Sequence, residues 1–240
     1  MHTLHAGSDY ARGVLDVLRL LGLISGHDAP SDEVAAMFIE SLRAHLADGV
    51  VVGLRWGDLD AQGLRGVDIL RAIETARAAA VTSPTPARTV RIAQAVIKGR
   101  RGSEDLYLMQ YDAHAGCYQP LGGKQDAGDA DSAAALRREL MEELRLDALP
   151  GPDFCTLTLL RADWQKTAPS PTYGILTRYS ADFYTVSAIR FPIALTGGTR
   201  WIARAEIAAQ RTADGKAITS LYEEALGWDV LDAIPPALNL

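Results

Sequence analysis

The apolar positions change period once along the chain. In DYARGVLDVLRLLGLI, Val14, Leu15, Leu18 and Leu21 recur near helical spacing, with Leu23 or Ile24 continuing the stripe. In PSDEVAAMFIESLRAHLADG, Val34, Phe38, Ile39 and Leu42 form a second stripe, with a start signal at Ser31 and a glycine stop at Gly49. VVVGLRW predicts a short strand, and LRGVDILRAIETARAAAV a third helix with Val67, Leu70 and Ile73 turned inward. TSPTPAR, residues 82 to 88, then interrupts the pattern with two prolines among small polar residues, as a linker does. Beyond it the period shortens. TVRIAQAVIKG and DLYLMQYD read as strands joined by the turn GRRGSE. TLTLLRADW and TYGILTRYSADFYTV read as further strands. RWIARAEIAAQRT predicts a strand end passing into a short helix, and ITSLYEEALGWDVLDAI a closing helix. The pattern predicts a small, mainly helical domain over 1–83 and an α/β domain over 88–240.

Bulk composition narrows the classes. The chain has 240 residues, 48% hydrophobic and 22% charged, which is ordinary for a globular protein. A net charge of −6 argues against a general nucleic-acid or acidic-membrane footprint. The two cysteines, Cys117 and Cys155, have no metal-ligand spacing and form no disulfide framework, which suits a reducing, cytoplasmic setting. MHTLHAGSDY does not read as a signal peptide, and every apolar run is too short to span a membrane.

The chemistry concentrates in LGGKQDAGDADSAAALRRELMEELRL, residues 121 to 146. Asp131 or Ser132 is placed to cap a helix over about 133–145. On that helix Glu139, Glu142 and Glu143 stand at i, i+3 and i+4 and share a face, while Leu136, Leu140 and Leu144 form a neighbouring apolar stripe. Like charges at this spacing cost a helix a few tenths of a kcal/mol per pair. A hard divalent cation, Mg²⁺ or Mn²⁺, turns that repulsion into binding. Gly122 and Gly123 let the backbone approach a ligand closely, and the planar fork of Arg138 is suited to orient a carboxylate. The competing reading is a solvated, salt-bridged helix face, with Arg138–Glu142 and Glu142–Arg145 as its pairs.

This stretch resembles the box of the Nudix hydrolases, G-x5-E-x7-R-E-U-x-E-E-x-G-U with U bulky and aliphatic. Gly123 stands for the first glycine, Arg138-Glu139-Leu140-Met141-Glu142-Glu143 for R-E-U-x-E-E, and Leu146 for the last U. Three departures stand out. Asp129 replaces the loop glutamate, eight residues instead of seven separate it from Arg138, and Arg145 replaces the final glycine. The box covers about a tenth of the chain, and the order of elements extends a weaker similarity over roughly 88–230.

The resemblance implies an α/β/α sandwich with a mixed sheet and a metal-dependent cleavage of a nucleoside diphosphate linked to another moiety. It implies Glu139, Glu142 and Glu143 as ligands of Mg²⁺ or Mn²⁺, the Gly123 carbonyl as a further ligand, and Arg138 as the orienter of Glu139. Many members use a further acid before the last strand. VSAIRFPIALTGGTRWIAR contains none; Glu206 lies just beyond it and Asp182 just before. Glu206, or one of the three helix glutamates, is then the expected base.

Trp164, Tyr173, Tyr184 and Trp201 are candidates to stack on a base, Arg100, Arg101 and Arg178 to meet phosphates, and PSPTY at 169–173 to border a pocket or simply to turn a hairpin. The implied partner is a nucleotide-derived small molecule, with a homodimer as a further possibility and no nucleic acid or membrane. The alternative function is a nucleotide-metabolite sensor of weak or no activity, with residues 1–83 as an effector or dimerisation domain. The scattered, acid-balanced arginines of that segment place dimerisation or a lid ahead of DNA reading.

Overall fold

Ser31 caps the helix that its sequence announces: the Val34 amide donates to Ser31 Oγ at 3.3 Å. In this computed structural model that helix, α2, runs Asp32–Leu46, after α1, Thr3–Leu20. The structure describes every residue except 1, 2, 21, 27–30, 47–50, 57, 58, 83, 147–151, 194, 196 and 197, so the expected stop at Gly49 lies outside the described residues. The strand β1, Val51–Trp56, follows. It pairs antiparallel with β2, Leu59–Arg65, a partner that the helical reading of LRGVDIL had partly absorbed. The helix α3, Gly66–Ala79, starts where that pairing ends. Leu15, Leu18, Phe38, Leu42 and Ile69 are all buried in one core.

The chain divides into two compact units. Residues 1–88 with 167–177 make the first, and 89–166 with 178–240 the second. In the first unit the turn at 170–175 is held to α3: Arg71 Nη2 donates to the Pro171 carbonyl at 2.6 Å, and the Leu176 amide to Glu74 Oε2 at 3.3 Å. Residues 170–173 of PSPTY are therefore part of this turn, and Pro169 ends the strand before it.

The second unit takes in β3 (Arg88–Val96) from Thr89 on, β4 (Lys98–Arg101), β5 (Glu104–Asp112), β6 (Cys117–Pro120) and β7 (Gly122–Lys124). After them come α4 (Ser132–Glu143), the parts of β8 (Thr156–Pro169) and β9 (Leu176–Ser187) outside 167–177, β10 (Thr199–Ala203), α5 (Arg204–Ala208), β11 (Ala217–Ile218), α6 (Leu221–Ala225), α7 (Trp228–Ala233) and β12 (Leu238–Asn239). The expected closing helix is two short ones, because Gly227 takes φ +77° between them.

One sheet runs in the order β11-β6-β5-β4-β12, with β10 also paired to β5; the other runs β7-β3-β9-β8. β4, β6 and β10 are antiparallel to β5, whereas β11 is parallel to β6 and β12 to β4, so the sheet is mixed. Strand alternation divides the core. Ala93, Ala95 and Leu108 pack with Leu136, Leu140 and Leu144, the apolar stripe read from the sequence. Val96, Tyr107 and Met109 pack instead with Ile207, Tyr222 and Leu231 from α5, α6 and α7. Helices thus cover strands from two sides, an α/β/α sandwich with the mainly helical segment ahead of it.

Candidate active site

Asp131, one of the two predicted caps, starts α4: its side chain accepts the Ala134 amide at 2.7 Å. The helix ends as its C-terminal sequence allows only at some strain. Arg145, in the glycine position, takes the left-handed φ of +53°. Leu146 N then donates to the Met141 carbonyl at 2.8 Å, and Arg145 N to that of Glu142 at 3.2 Å. This is the Schellman arrangement that a glycine ordinarily serves, completed by burial of Leu146.

The capped helix presents its acids to the double-glycine strand. Glu143 Oε2 accepts the Gly122 amide at 2.9 Å. The Glu139 carboxylate lies so close to Gly123 that a Cβ there would meet it at 2.5–2.6 Å and push it out of its present place. Gly122 is required, for its φ of +127° and because a Cβ would come within 2.2 Å of the Ala93 carbonyl. Glu142 stays 61% exposed.

Arg138 joins the loop to the helix. Its Nε and Nη2 reach Asp129 at 3.3 and 3.0 Å, Nη2 donates to the Lys124 carbonyl at 2.9 Å, and Nη1 reaches Glu139 at 2.8 Å and Glu142 at 3.5 Å. The fork on Asp129, then the bond to Glu139, raises the Arg138 pKa further above its ordinary value. Asp129, in the place of the loop glutamate, is held below the usual carboxylate range by Arg138.

Glu143 behaves oppositely. Burial, and then the charges of Glu139 and Glu142, push its pKa up to about 8 against the opposing Gly122 amide. The three acids therefore act on one another. They are not gathered into a cage, since among the described residues no group of three or more His, Cys, Asp or Glu is placed to hold a metal ion. As a donor set they suit a hard divalent cation, being oxygen ligands only.

A double-glycine strand turning through an acidic loop into an R-E-L-x-E-E helix, with Glu139 and Glu143 folded back on the glycines, now stands within an α/β/α sandwich. The fold is Nudix-like. No protein-family model matches the chain, and no curated protein matches it. Among solved structures, a Nudix hydrolase of M. smegmatis, RenU, is 14% identical over 61% of this chain and 89% of its own, with a TM-score of 0.41. A C. elegans Ap4A hydrolase is 17% identical over 50% and 85%, at 0.37, and a MutT studied in Aliivibrio salmonicida and Vibrio cholerae is 16% identical over 61% and 99%, at 0.35. At these TM-scores the likeness carries no conclusion about chemistry, which rests on the residues themselves.

Beside Glu143 and Gly122 the Nudix-like unit has a cavity of about 250 Å³, lined also by Gln94, Gln110, Tyr111, Asp112 and Gln119. None of these five was singled out in the sequence. The available signal was polarity out of place: Gln94 and Gln110 each interrupt an apolar strand.

The other expected residues lie elsewhere. Glu206 sits in the first turn of α5, its carboxylate accepting the Ala203 amide at 3.0 Å and the Ala213 amide at 2.8 Å. Asp182 accepts from Ser132 Oγ at 2.6 Å and from the Asp163 amide at 2.8 Å. Tyr184 is buried and shares Ser132 Oγ, Trp164 packs edge-on to Phe183, Trp201 packs in the core, and Tyr173 lies under Arg88. Arg100 pairs with Asp105 at 2.7 Å. None of these, nor Arg101 or Arg178, is among the residues lining the cavity.

Proposed function

We propose that the protein is a metal-dependent hydrolase that cleaves the pyrophosphate bond of a nucleoside diphosphate linked to another moiety. One observation carries the reading: the half-buried Glu143 carboxyl, bonded to the Gly122 amide and flanked by Glu139 against Gly123, opens on a cavity. Burying an acid beside two others is costly, and a cation relieves that cost. Glu139, Glu142 and Glu143 would hold Mg²⁺ or Mn²⁺, with the Gly123 carbonyl at hand. Bound there, the ion supplies charge neutralisation for phosphate oxygens and lowers the pKa of a coordinated water.

The chain's own residues do the rest. Arg138, anchored on Asp129 and the Lys124 carbonyl, fixes Glu139 through Nη1. Glu143, which lines the cavity, is the acceptor we assign for the proton of the attacking water, since the Glu206 oxygens are taken up by two backbone amides.

The test is turnover of a panel of nucleotide-sugars, dinucleotides and nucleoside triphosphates with Mg²⁺ or Mn²⁺, followed by phosphate-containing products. Glu139→Gln and Glu143→Gln are each expected to lower kcat at least a hundredfold while the fold survives. Turnover in wild type that chelation or either variant leaves unchanged would overturn the proposal.

The commitment of Arg138 to both Glu139 and Glu142 favours a second reading, in which the site binds a nucleotide metabolite without turning it over. Mg²⁺-dependent binding with no product over hours would select it. The two compact units fit either case, and we assign residues 1–83 an effector or dimerisation role and residues 88–240 the chemistry.

A further inference from the structure

Two residues that line the cavity beside Glu143 carry polar atoms that the described residues do not satisfy. Gln94 is only 7% exposed, and its Oε1 is buried with no hydrogen-bond partner among the described residues. Gln110 Oε1 is buried and unpartnered in the same way. Both residues line one cavity. Buried carbonyl oxygens are almost always bonded, so two unpartnered carboxamide oxygens on residues that line one cavity mark a place where a small turn of either side chain brings an acceptor to donors from outside the chain.

The remaining wall says what those donors belong to. Its titratable side chains besides Tyr111 are the carboxyls of Asp112 and Glu143, and no Lys or Arg lines it. A phosphate therefore finds no cationic partner in the cavity itself. Asp112 is already engaged by the His114 and Ala115 amides and by Gln119 Nε2 at 2.7, 3.2 and 3.0 Å, so it does not call for a cation. Tyr111 gives an aromatic wall, its ring braced edge-on by Tyr118 and carrying Lys216 Nζ at 4.8 Å. The volume, about 250 Å³, is below the roughly 300–1,000 Å³ of sites that hold whole drug-sized ligands, so it admits a single ring system.

We infer that this cavity takes the uncharged, hydrogen-bond-donating head group of the ligand, an amino-bearing base edge or a polyol ring, with Gln94 and Gln110 as the acceptors that select it. The assignment rests on the pyrophosphohydrolase reading for the position of the diphosphate, at the three glutamates, of which Glu143 also borders the cavity. The selection of the head group is a separate property and is measured separately.

The experiment uses the full chain without metal and reads binding by saturation-transfer NMR. Adenosine and cytidine, uridine and inosine, and glucose and ribose serve as probes. An amino-bearing base is reported by adenosine or cytidine binding at least tenfold more tightly than inosine or uridine, and a polyol by the sugars binding instead. Gln94→Met keeps the side chain's length and removes its oxygen. It is expected to weaken the preferred probe at least tenfold and to raise the melting temperature of the ligand-free protein, because an orphaned polar atom is replaced by an apolar one. Gln110→Met is the second variant, expected to weaken the same probe.

Either of two results overturns the inference: no probe bound by wild type, or Gln94→Met less stable with probe binding unchanged. Because no probe carries phosphate and no metal is added, these results stand apart from those of the turnover assay. Loss of turnover with probe selection intact would sink the hydrolase reading alone.

Discussion

Glu143 is the residue on which burial and charge bear most directly. Its neutral form is favoured in the folded chain, where its pKa rises to about 8 from the ordinary 4.5, first through burial and then through Glu139 and Glu142. Between those values the folded chain keeps a proton that the unfolded chain has released. Stability from this group is therefore fully present below about pH 4.5 and lost as pH rises through about 8. In chelator, thermal melts of the wild type should fall in midpoint across that window, and Glu143→Gln should fall less. Superimposable pH curves for the two proteins would show that the Glu143 carboxyl is not held in its neutral form by the fold. Glu139 makes a different point. Its carboxylate occupies the space of a Cβ at position 123, so a side chain there would displace the acid, whereas Gly122 is fixed by its φ and by the Ala93 carbonyl.

At the scale of the element, α4 is set by its two ends. Asp131 satisfies the Ala134 amide, and Asp131→Ala is expected to cost about 1 kcal/mol in chemical denaturation, the usual loss for an N-cap. At the other end Arg145 occupies a left-handed conformation that L side chains adopt at a cost of roughly 1–2 kcal/mol. Arg145→Gly should raise the denaturation free energy by about 1 kcal/mol, less the extra backbone freedom of glycine when unfolded. A destabilised Arg145→Gly would mean that the arginine side chain holds the helix end by a contact of its own. The departure from the Nudix box at this position thus changes the stability of the helix end and leaves the placing of the glutamates intact.

At the scale of the whole molecule, each unit buries a core of its own. Phe38 is fully buried with Leu15, Leu18 and Leu42 in the first, and Leu136 and Leu140 are fully buried in the second. Phe38→Ala should cost about 3–5 kcal/mol in the unfolding of the first unit, and calorimetry should register that loss as a lowered transition. A loss below about 1 kcal/mol would contradict the packing described. The distribution of acids and amides also belongs to this scale. The glutamates come from α4, Gly122 from β7, Gln94 from β3, and Gln110, Tyr111 and Asp112 from β5.

Local signals carried much of this in the chain itself. The spacing of Glu139, Glu142 and Glu143, the leucine stripe beside them, the cap at Asp131 and the change of period after TSPTPAR are short-range patterns, because helices and long strands are specified within a turn or two of chain. Short strands escaped notice. β7 has three residues and β11 and β12 two each, too few to show any alternation, and only pairing with a neighbour defines them. The cavity escaped for the same reason. Gln94 and Gln110 are sixteen positions apart in the sequence, and nothing local tells an orphaned carboxamide from a satisfied one. That Glu143 is half-buried, that Arg138 spans Asp129 and Glu139, and that two glutamines with unpartnered oxygens line one cavity were decided by tertiary packing. Burial and hydrogen bonding depend on which segments meet, and such meetings are settled by the packing of the whole core.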